Sequence, residues 1–472
     1  MFQAHGGEWG RLAKTRTFDV AVIGGGIVGC ALARRFTLDG ARVVLLEKAA
    51  DVLDGASKGN SAILHTGFDA PEDSLELQCI REGHAEYLEI HQRLNLPLIR
   101  SGALVLAWTE AEHEQLPVLL AQARQNGIAD VEPLSAADIL RLEPELANGV
   151  LSGFRIPGES LIDPWSAAHA YLRQALENGA VLMRQAEVLG GKRAGDLWEL
   201  ETTAGSVRAA LVINAAGLWG DEVDRRLTGE SWFTIKPRKG QFVVYDKPAA
   251  ALAGHILLPV PNKITKGVVV CRTAFGNLLV GPTAEEQEDR VHATMDHAAL
   301  EALRKRGEEI LPALRGQEIT AIYAGLRPAT EEKEYRISAD RAEGYITVGG
   351  IRSTGLSAAL GIAAHVARLA GRADRPVADP VWPRMPALSD EARRDWQQPG
   401  NGGVVCHCER VTRREIEAAL TGPMAAGSMG GLKRRTRVTM GRCQGFYCSA
   451  ELARLTDGRL PEPMLAGPRR DA

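Results

Sequence analysis

Three segments of the chain share one hydrophobic pattern: a short aliphatic run, a break at small residues, then a stretch of helical composition. The first covers residues 18–48, FDVAVIGGGIVGCALARRFTLDGARVVLLEK. Its residues 20–23 predict a buried strand, because β-branched side chains favour extended backbone and the glycines end the run. Residues 27–38 predict a helix and 42–46 the next strand. The same junction returns in LVINAAGLWGDEVDRRL (211–227) and in the short strand 345–348 running into GGIRSTGLSAALGIAAHVARLAG (349–371). Helical periodicity also covers 74–94, 110–126, 135–143 and 295–311. Asp163-Pro164 marks a helix start before 165–178, with Asp as N-cap and Pro at the first helical position. Strand patterning covers 98–108 (a pair around Gly102), 149–162, 181–188, 198–203, 206–209, 233–280 and 319–328. The whole pattern predicts an α/β protein.

The first junction carries specific chemistry. Gly24, Gly26 and Gly29 fall in the G-x-G-x-x-G spacing. Gly24 permits the tight turn, Gly26 lets a pyrophosphate approach the backbone, and Gly29 lets helix and strand pack closely. The second strand ends in Glu47, where a carboxylate binds ribose hydroxyls and disfavours a 2′-phosphate. The loop GASKGNSAILHTGF, 55–68, is rich in small residues and donors and is suited to wrap a pyrophosphate or a flavin edge. The second junction lies about 190 residues after the first. A single-return NAD dehydrogenase lacks that repeat, whereas flavoproteins bring a second strand back to the same nucleotide.

Composition narrows the class. The 472 residues allow two or three domains, and a net charge of −3 gives no signal for nucleic acid or an anionic membrane. No apolar run reaches the roughly 18–20 residues of a membrane helix. Residues 1–16 read as a flexible tail without a signal-peptide core. A cytoplasmic location is expected, with peripheral attachment to the inner membrane left open. Prolines 376, 380, 383, 386 and 399 mark 376–402 as a linker. Of seven cysteines, Cys30, Cys79 and Cys271 are solitary and read as buried thiols, whereas Cys406, Cys408, Cys443 and Cys448 crowd near the end. In a reducing compartment such a cluster points to metal or cluster binding.

Together these features resemble the FAD-dependent oxidoreductase family that includes D-amino-acid oxidase and glycerol-3-phosphate dehydrogenase. The resemblance covers about residues 17–372 and implies FAD as cofactor. It implies Gly24, Gly26 and Gly29 at the pyrophosphate, Glu47 at the adenosine ribose, and Ser57, Asn60 and Ser61 near the phosphates or flavin. Val188 is implied near the adenine and Gly217 over the nucleotide. Gly350, Ser353, Thr354, Gly355 and Leu356 are implied along the flavin pyrimidine, at a helix N-terminus that favours negative charge. KGNSAILHTGF, IKPRKGQF, PNKITKGVVV and NLLVGPTAEE look like the glycerol-3-phosphate branch, and the stretch around His65 is also similar to L-2-hydroxyglutarate oxidoreductases. The tail, VVCHCERVT and KRRTRVTMGRCQGFYC, resembles the bacterioferritin-associated ferredoxin-like 2Fe–2S domain, with C-x-x-x-x-C where small stand-alone members have C-x-x-C. This implies Cys406, Cys408, Cys443 and Cys448 as ligands, two per iron. Zinc is the alternative, though C-x-C is unusual for it.

The implied architecture is a Rossmann-type FAD-binding domain (17–95, 150–230 and 330–375), a β-sheet-rich substrate domain (96–149 and 231–329) and a small helical iron–sulfur domain (403–460). His65 is the candidate base, because its ordinary pKa lies near working pH. Arg327, in GLRP, is the candidate anion anchor, because its fork matches phosphate or carboxylate. A structural histidine and a surface arginine are the ordinary alternatives. Lys236, Arg238, Lys239, Lys263 and Lys266 add positive charge, and Lys433, Arg434, Arg435 and Arg437 either face the thiolates, dock an acidic partner or form a solvated face. The expected activity is oxidation of a small anionic hydroxy compound, foremost sn-glycerol 3-phosphate to dihydroxyacetone phosphate, with electrons relayed through the 2Fe–2S cluster to a quinone or redox protein. A 2-hydroxyacid or amino-acid dehydrogenase is the second reading, and an electron-transfer subunit without its own substrate is the third. Peripheral contact with a membrane or partner subunit stays open.

Overall fold

The computed structural model describes residues 16–261, 267–372 and 375–461. The expected tail up to residue 15, and Lys263 and Lys266, lie outside the described residues. Strand Arg16–Ile23 is central to an eight-stranded sheet, parallel to Val43–Leu46 on one side and to Gly205–Asn214 on the other. Val181–Met183 continues the parallel set beyond Val43–Leu46, and Tyr345–Gly349 joins the C-terminal end of Gly205–Asn214. The strands that lead the three glycine junctions are therefore neighbours in one layer. Parallel strands are buried on both faces, which is why their sequences are continuously apolar. Helices Ile27–Leu38, Leu75–Leu94, Pro164–Glu177 and Gly355–Ala370 cover one face. On the other, Ala21, Val44 and Leu46 close on Val188, Trp198 and Leu200 of an antiparallel meander. Helix Leu75–Leu94 reaches Gly355–Ala370 by backbone contact: a Cβ on Gly361 would lie 2.1 Å from the Cys79 carbonyl oxygen.

A nine-stranded sheet forms the second unit, dominated by the antiparallel pair Lys236–Tyr245 and Ile319–Ala329. The small third unit has the ribbon Val404–Cys406/Val411–Thr412 and helices Arg413–Ala419, Met429–Thr436 and Ser449–Thr456 around Val411, Ile416, Leu432, Val438 and Leu452. This is the α/β class that the pattern predicts. Two local readings need correction. The strands of 98–108 do not pair with each other: Leu98–Ile99 pairs with Ser160–Ile162, and Ala103–Ala107 with Ser152–Ile156 and Ile256–Pro259. Gly102, at φ +65°, turns the chain from one sheet to the other. Stretch 181–188 divides after Met183, and Val188 begins the meander strand Val188–Ala194. Stretch 376–402 has only a single 3-10 turn, yet it is strapped down: the Val377 N–H donates to the Leu38 carbonyl, the Met385 N–H to the Leu94 carbonyl, and Arg93 stacks over Trp382.

Candidate active site and thiol quartet

A cavity of about 390 Å³ opens where Arg16–Ile23, Val43–Leu46, Gly205–Asn214 and Tyr345–Gly349 end, the crevice at which open α/β sheets bind ligands. Gly24, Gly26, Glu47, Ser57, Asn60, Ser61, Val188, Gly217, Gly350, Ser353, Gly355 and Leu356 all line it, with His65 and Arg327. Two expected residues stand behind the wall. A Cβ on Gly29 would lie 1.8 Å from the Gly24 carbonyl oxygen, so Gly29 seats the helix on the strand. Thr354 is buried between the Tyr335 hydroxyl and Glu76, each at 2.7 Å.

The cradle is shaped for a group that approaches its backbone. Gly24 has φ +105°, and a Cβ there would meet the Ala215 carbonyl oxygen at 2.5 Å. Glu47 accepts from the Gly25 N–H at 2.6 Å and the Ala49 N–H at 2.8 Å, and burial pushes its carboxyl upward against those two donors. Ser57 Oγ accepts from the Ile27 N–H at 3.0 Å, at the start of the helix. Asn60 braces its own loop, donating to the Ser57 carbonyl and accepting from the Ala62 N–H. Beside Val188, Lys48 sits 3.8 Å from the Trp219 ring centroid, a cation–π wall that no motif announced.

His65 is not isolated. Its Nδ1 lies 2.9 Å from Glu159 Oε2, and the other oxygen of this fully buried carboxyl accepts from the Thr66 N–H and hydroxyl. A carboxylate there holds the proton on Nδ1 and leaves the Nε2 lone pair available. Glu159 lies in a turn between two short strands, with no spacing that ties it to His65 in the sequence.

Arg327 is half-buried in the cavity wall. It donates to the carbonyls of Arg238, Lys239 and Thr283. Burial, with Arg238 and Arg352 nearby, pushes its guanidinium down to about 10. Arg352, also on the cavity wall, is lowered by burial and by Arg238. Guanidiniums crowded in this way are relieved by an anion. Lys239 instead pairs with Glu285 at 3.0 Å.

In the third unit the thiols fall into two couples, Cys408 beside Cys443 and Cys448 beside Cys406, each close enough to influence the other's ionisation. Backbone N–H groups of Tyr447, Gly445 and Phe446 aim at the Cys443 sulfur and lower it. Among the described residues no three His, Cys, Asp or Glu side chains converge on a single-ion site. Two couples suit a two-iron cluster, which takes two thiolates per iron, better than one tetrahedral zinc. His407 is exposed. The basic run points inward: Arg435 forks onto buried Asp51 at 2.7 and 2.8 Å, Arg434 donates to the Val52 carbonyl, and Arg437 pairs with Glu409.

A nucleotide cradle served by two returning strands, opening onto a histidine and an arginine cluster, is the layout of a flavin-linked oxidoreductase. Residues 19–369 match the FAD dependent oxidoreductase family, and the chain belongs to it. Residues 404–457 match the BFD-like 2Fe-2S binding domain. FAD and a 2Fe–2S cluster are thus its cofactors. The chain is 31% identical, over 92% of its length and 92% of the relative's, to a glycerol 3-phosphate dehydrogenase of Caloramator mitchellensis. It is 24% identical, over 94% of its length and 89% of the relative's, to one of the subunits of the anaerobic glycerol-3-phosphate dehydrogenase of Escherichia coli. Its fold is similar to that of dithionite-reduced L-alpha-glycerophosphate oxidase from Mycoplasma pneumoniae with FAD bound (TM-score 0.74, 27% identity, 79% of this chain and 100% of that one). Among the described residues no helix is long and apolar enough to cross a membrane.

Proposed function

We propose that the protein oxidises sn-glycerol 3-phosphate to dihydroxyacetone phosphate and passes the electrons through its C-terminal unit to an external acceptor, a quinone or a redox protein. The observation that carries this reading is the meeting of the His65–Glu159 pair and the Arg327–Arg352 cluster in the cavity that holds the nucleotide cradle. The names of the relatives support the phosphate-bearing alcohol as substrate. Bound FAD supplies a hydride acceptor, and the cluster supplies one-electron exchange. Arg327 and Arg352 hold the substrate's anion by charge-assisted hydrogen bonds. His65 takes the hydroxyl proton at Nε2, and Glu159 steadies the resulting imidazolium and keeps the ring in its tautomer. The glycine-lined loops bring backbone close to the cofactor and exclude water around the reacting C–H. A partner protein carrying the acceptor, or attachment to a membrane that holds a quinone, accords with the Escherichia coli relative being named as one subunit of its enzyme.

The test is anaerobic flavin bleaching with glycerol 3-phosphate, L-2-hydroxyglutarate, lactate and amino acids. Fast bleaching by glycerol 3-phosphate alone is expected. Preference for a hydroxyacid or an amino acid would move the substrate to that class, and no bleaching by any of them would support a substrate-free electron-transfer subunit.

A further inference from the structure

We propose that Trp165, Phe275 and Arg437 form a contact bridge that carries electrons from the flavin cavity to the iron–sulfur unit. The proposal rests on the two-cofactor reading above. At the cavity end, Lys58 and Pro164 line the wall, and the Trp165 indole N–H donates to the Lys58 carbonyl at 3.2 Å. Trp165 stacks on Phe275 with ring centroids 5.6 Å apart and planes at 12°. The Arg437 guanidinium carbon lies 3.8 Å from the Phe275 centroid, and its Nε donates to Glu409 at 2.8 Å. Glu409 directly follows Cys408. One line of touching groups therefore runs from the cavity wall to the thiol quartet, crossing all three units of the fold.

Packing alone does not account for this line. Arg437 is 5% exposed and stands at the end of helix Met429–Thr436 with φ +69°, a left-handed conformation that is costly for a side chain with a Cβ and is usually taken by glycine. A long cation held there, between a carboxylate beside the thiols and an aromatic stack leading to the cavity, has a position that a simple cap does not need. The seam is clamped on either side by Arg435 on Asp51 and by Gln444 donating to the Thr320 carbonyl at 2.9 Å, so the bridge is held at fixed length. Tunnelling falls steeply with the width of an empty gap, and packed π systems narrow that gap. A buried cation near the thiolates also favours an added electron.

The electron count closes. Each substrate leaves two electrons on the flavin. One crosses and converts one ferric ion to ferrous, and the cluster yields it to an external one-electron acceptor before the second crosses. No bond or proton moves along the bridge, and the proton that arrived with the hydride is released to solvent at the flavin cavity as the two electrons leave.

The experiment uses the holoenzyme and the variants Trp165→Leu, Phe275→Leu, Arg437→Gln and Arg437→Lys. Flavin is photoreduced anaerobically, so that no substrate is needed, and freeze-quench electron resonance follows the electron reaching the cluster. A potentiometric titration gives the cluster's midpoint. Both leucine variants should keep the wild-type potential and slow arrival at least tenfold. Arg437→Gln should lower the potential by at least a tenfold change in equilibrium constant, 59 mV for one electron, and Arg437→Lys should restore most of it. Unchanged arrival in both leucine variants, or an unchanged potential in Arg437→Gln with its cluster intact, overturns the bridge. If Arg437→Gln loses iron and sulfide, the leucine pair decides alone. A wild-type protein without a cluster signal would instead remove the underlying two-cofactor reading.

Discussion

Arg327, the proposed anion anchor, shows how surroundings can set one side chain. Three backbone carbonyls fix its guanidinium, and two further arginines stand close enough, together with burial, to depress it. Under the proposed function, Arg327→Ala would leave the substrate's phosphate without a charge-assisted partner, at a cost of about 2–5 kcal/mol, so kcat/KM should fall roughly 30- to several-thousandfold, mainly through KM. Arg327→Lys should recover little of this, because an ammonium cannot make the same fork to three carbonyls. His65→Gln should instead lower kcat by roughly 10²–10⁴-fold. Glu159→Gln should act in the same direction, since an amide no longer stabilises the imidazolium. Stopped-flow flavin reduction measures all four, and near-wild-type rates in both the His65 and Glu159 variants would remove the proton-transfer assignment. That His65 and Arg327 are candidates could be read from residue type and local motif, and both line the cavity. Glu159 and Arg352 could not be read in this way, because their places beside His65 and Arg327 come from neighbours distant in sequence.

Between strand and helix, the glycines of the first junction do different work. Gly26 has φ −75° and only Ser57 Oγ, at 3.1 Å, near its missing Cβ, so nothing within the protein demands glycine there. Gly26→Val should therefore keep the fold and lose FAD, giving a colourless protein with a near-normal melt of the apoprotein. Gly29→Ala puts a methyl group 1.8 Å from a carbonyl oxygen, and should lower Tm as well as flavin content. A normal melt with full flavin in Gly29→Ala would contradict the packing argument. The helix Met429–Thr436 docks by a buried ion pair, with Asp51 also accepting from the Gly427 N–H at 2.8 Å. Arg435→Met strands that carboxylate, at a cost of about 3–5 kcal/mol, and should release the C-terminal unit to limited proteolysis near residues 376–402. The inward turn of this basic run was hidden in the sequence, where its spacing fits a solvated face equally well.

Across the whole molecule, two redox centres share one body yet should be separable. Cys443→Ser should abolish the cluster's resonance signal and its labile sulfide while substrate still bleaches FAD, because no thiol of the quartet lines the flavin cavity. Stoichiometric zinc without sulfide in the wild type would end the two-iron assignment. By itself the sequence determined the three strand–glycine–helix junctions, the cofactor class and the four crowded thiols, because each depends on interactions within a few residues: apolar period, turn glycine, ligand spacing. Only the tertiary structure decided what lies between those pieces. It paired His65 with Glu159, gathered Arg327 with Arg352, took Leu98–Ile99 and Ala103–Ala107 into different sheets, and set Arg437 against Phe275. These are contacts across tens to hundreds of residues, and a chain's local pattern carries no record of which distant neighbour closes them.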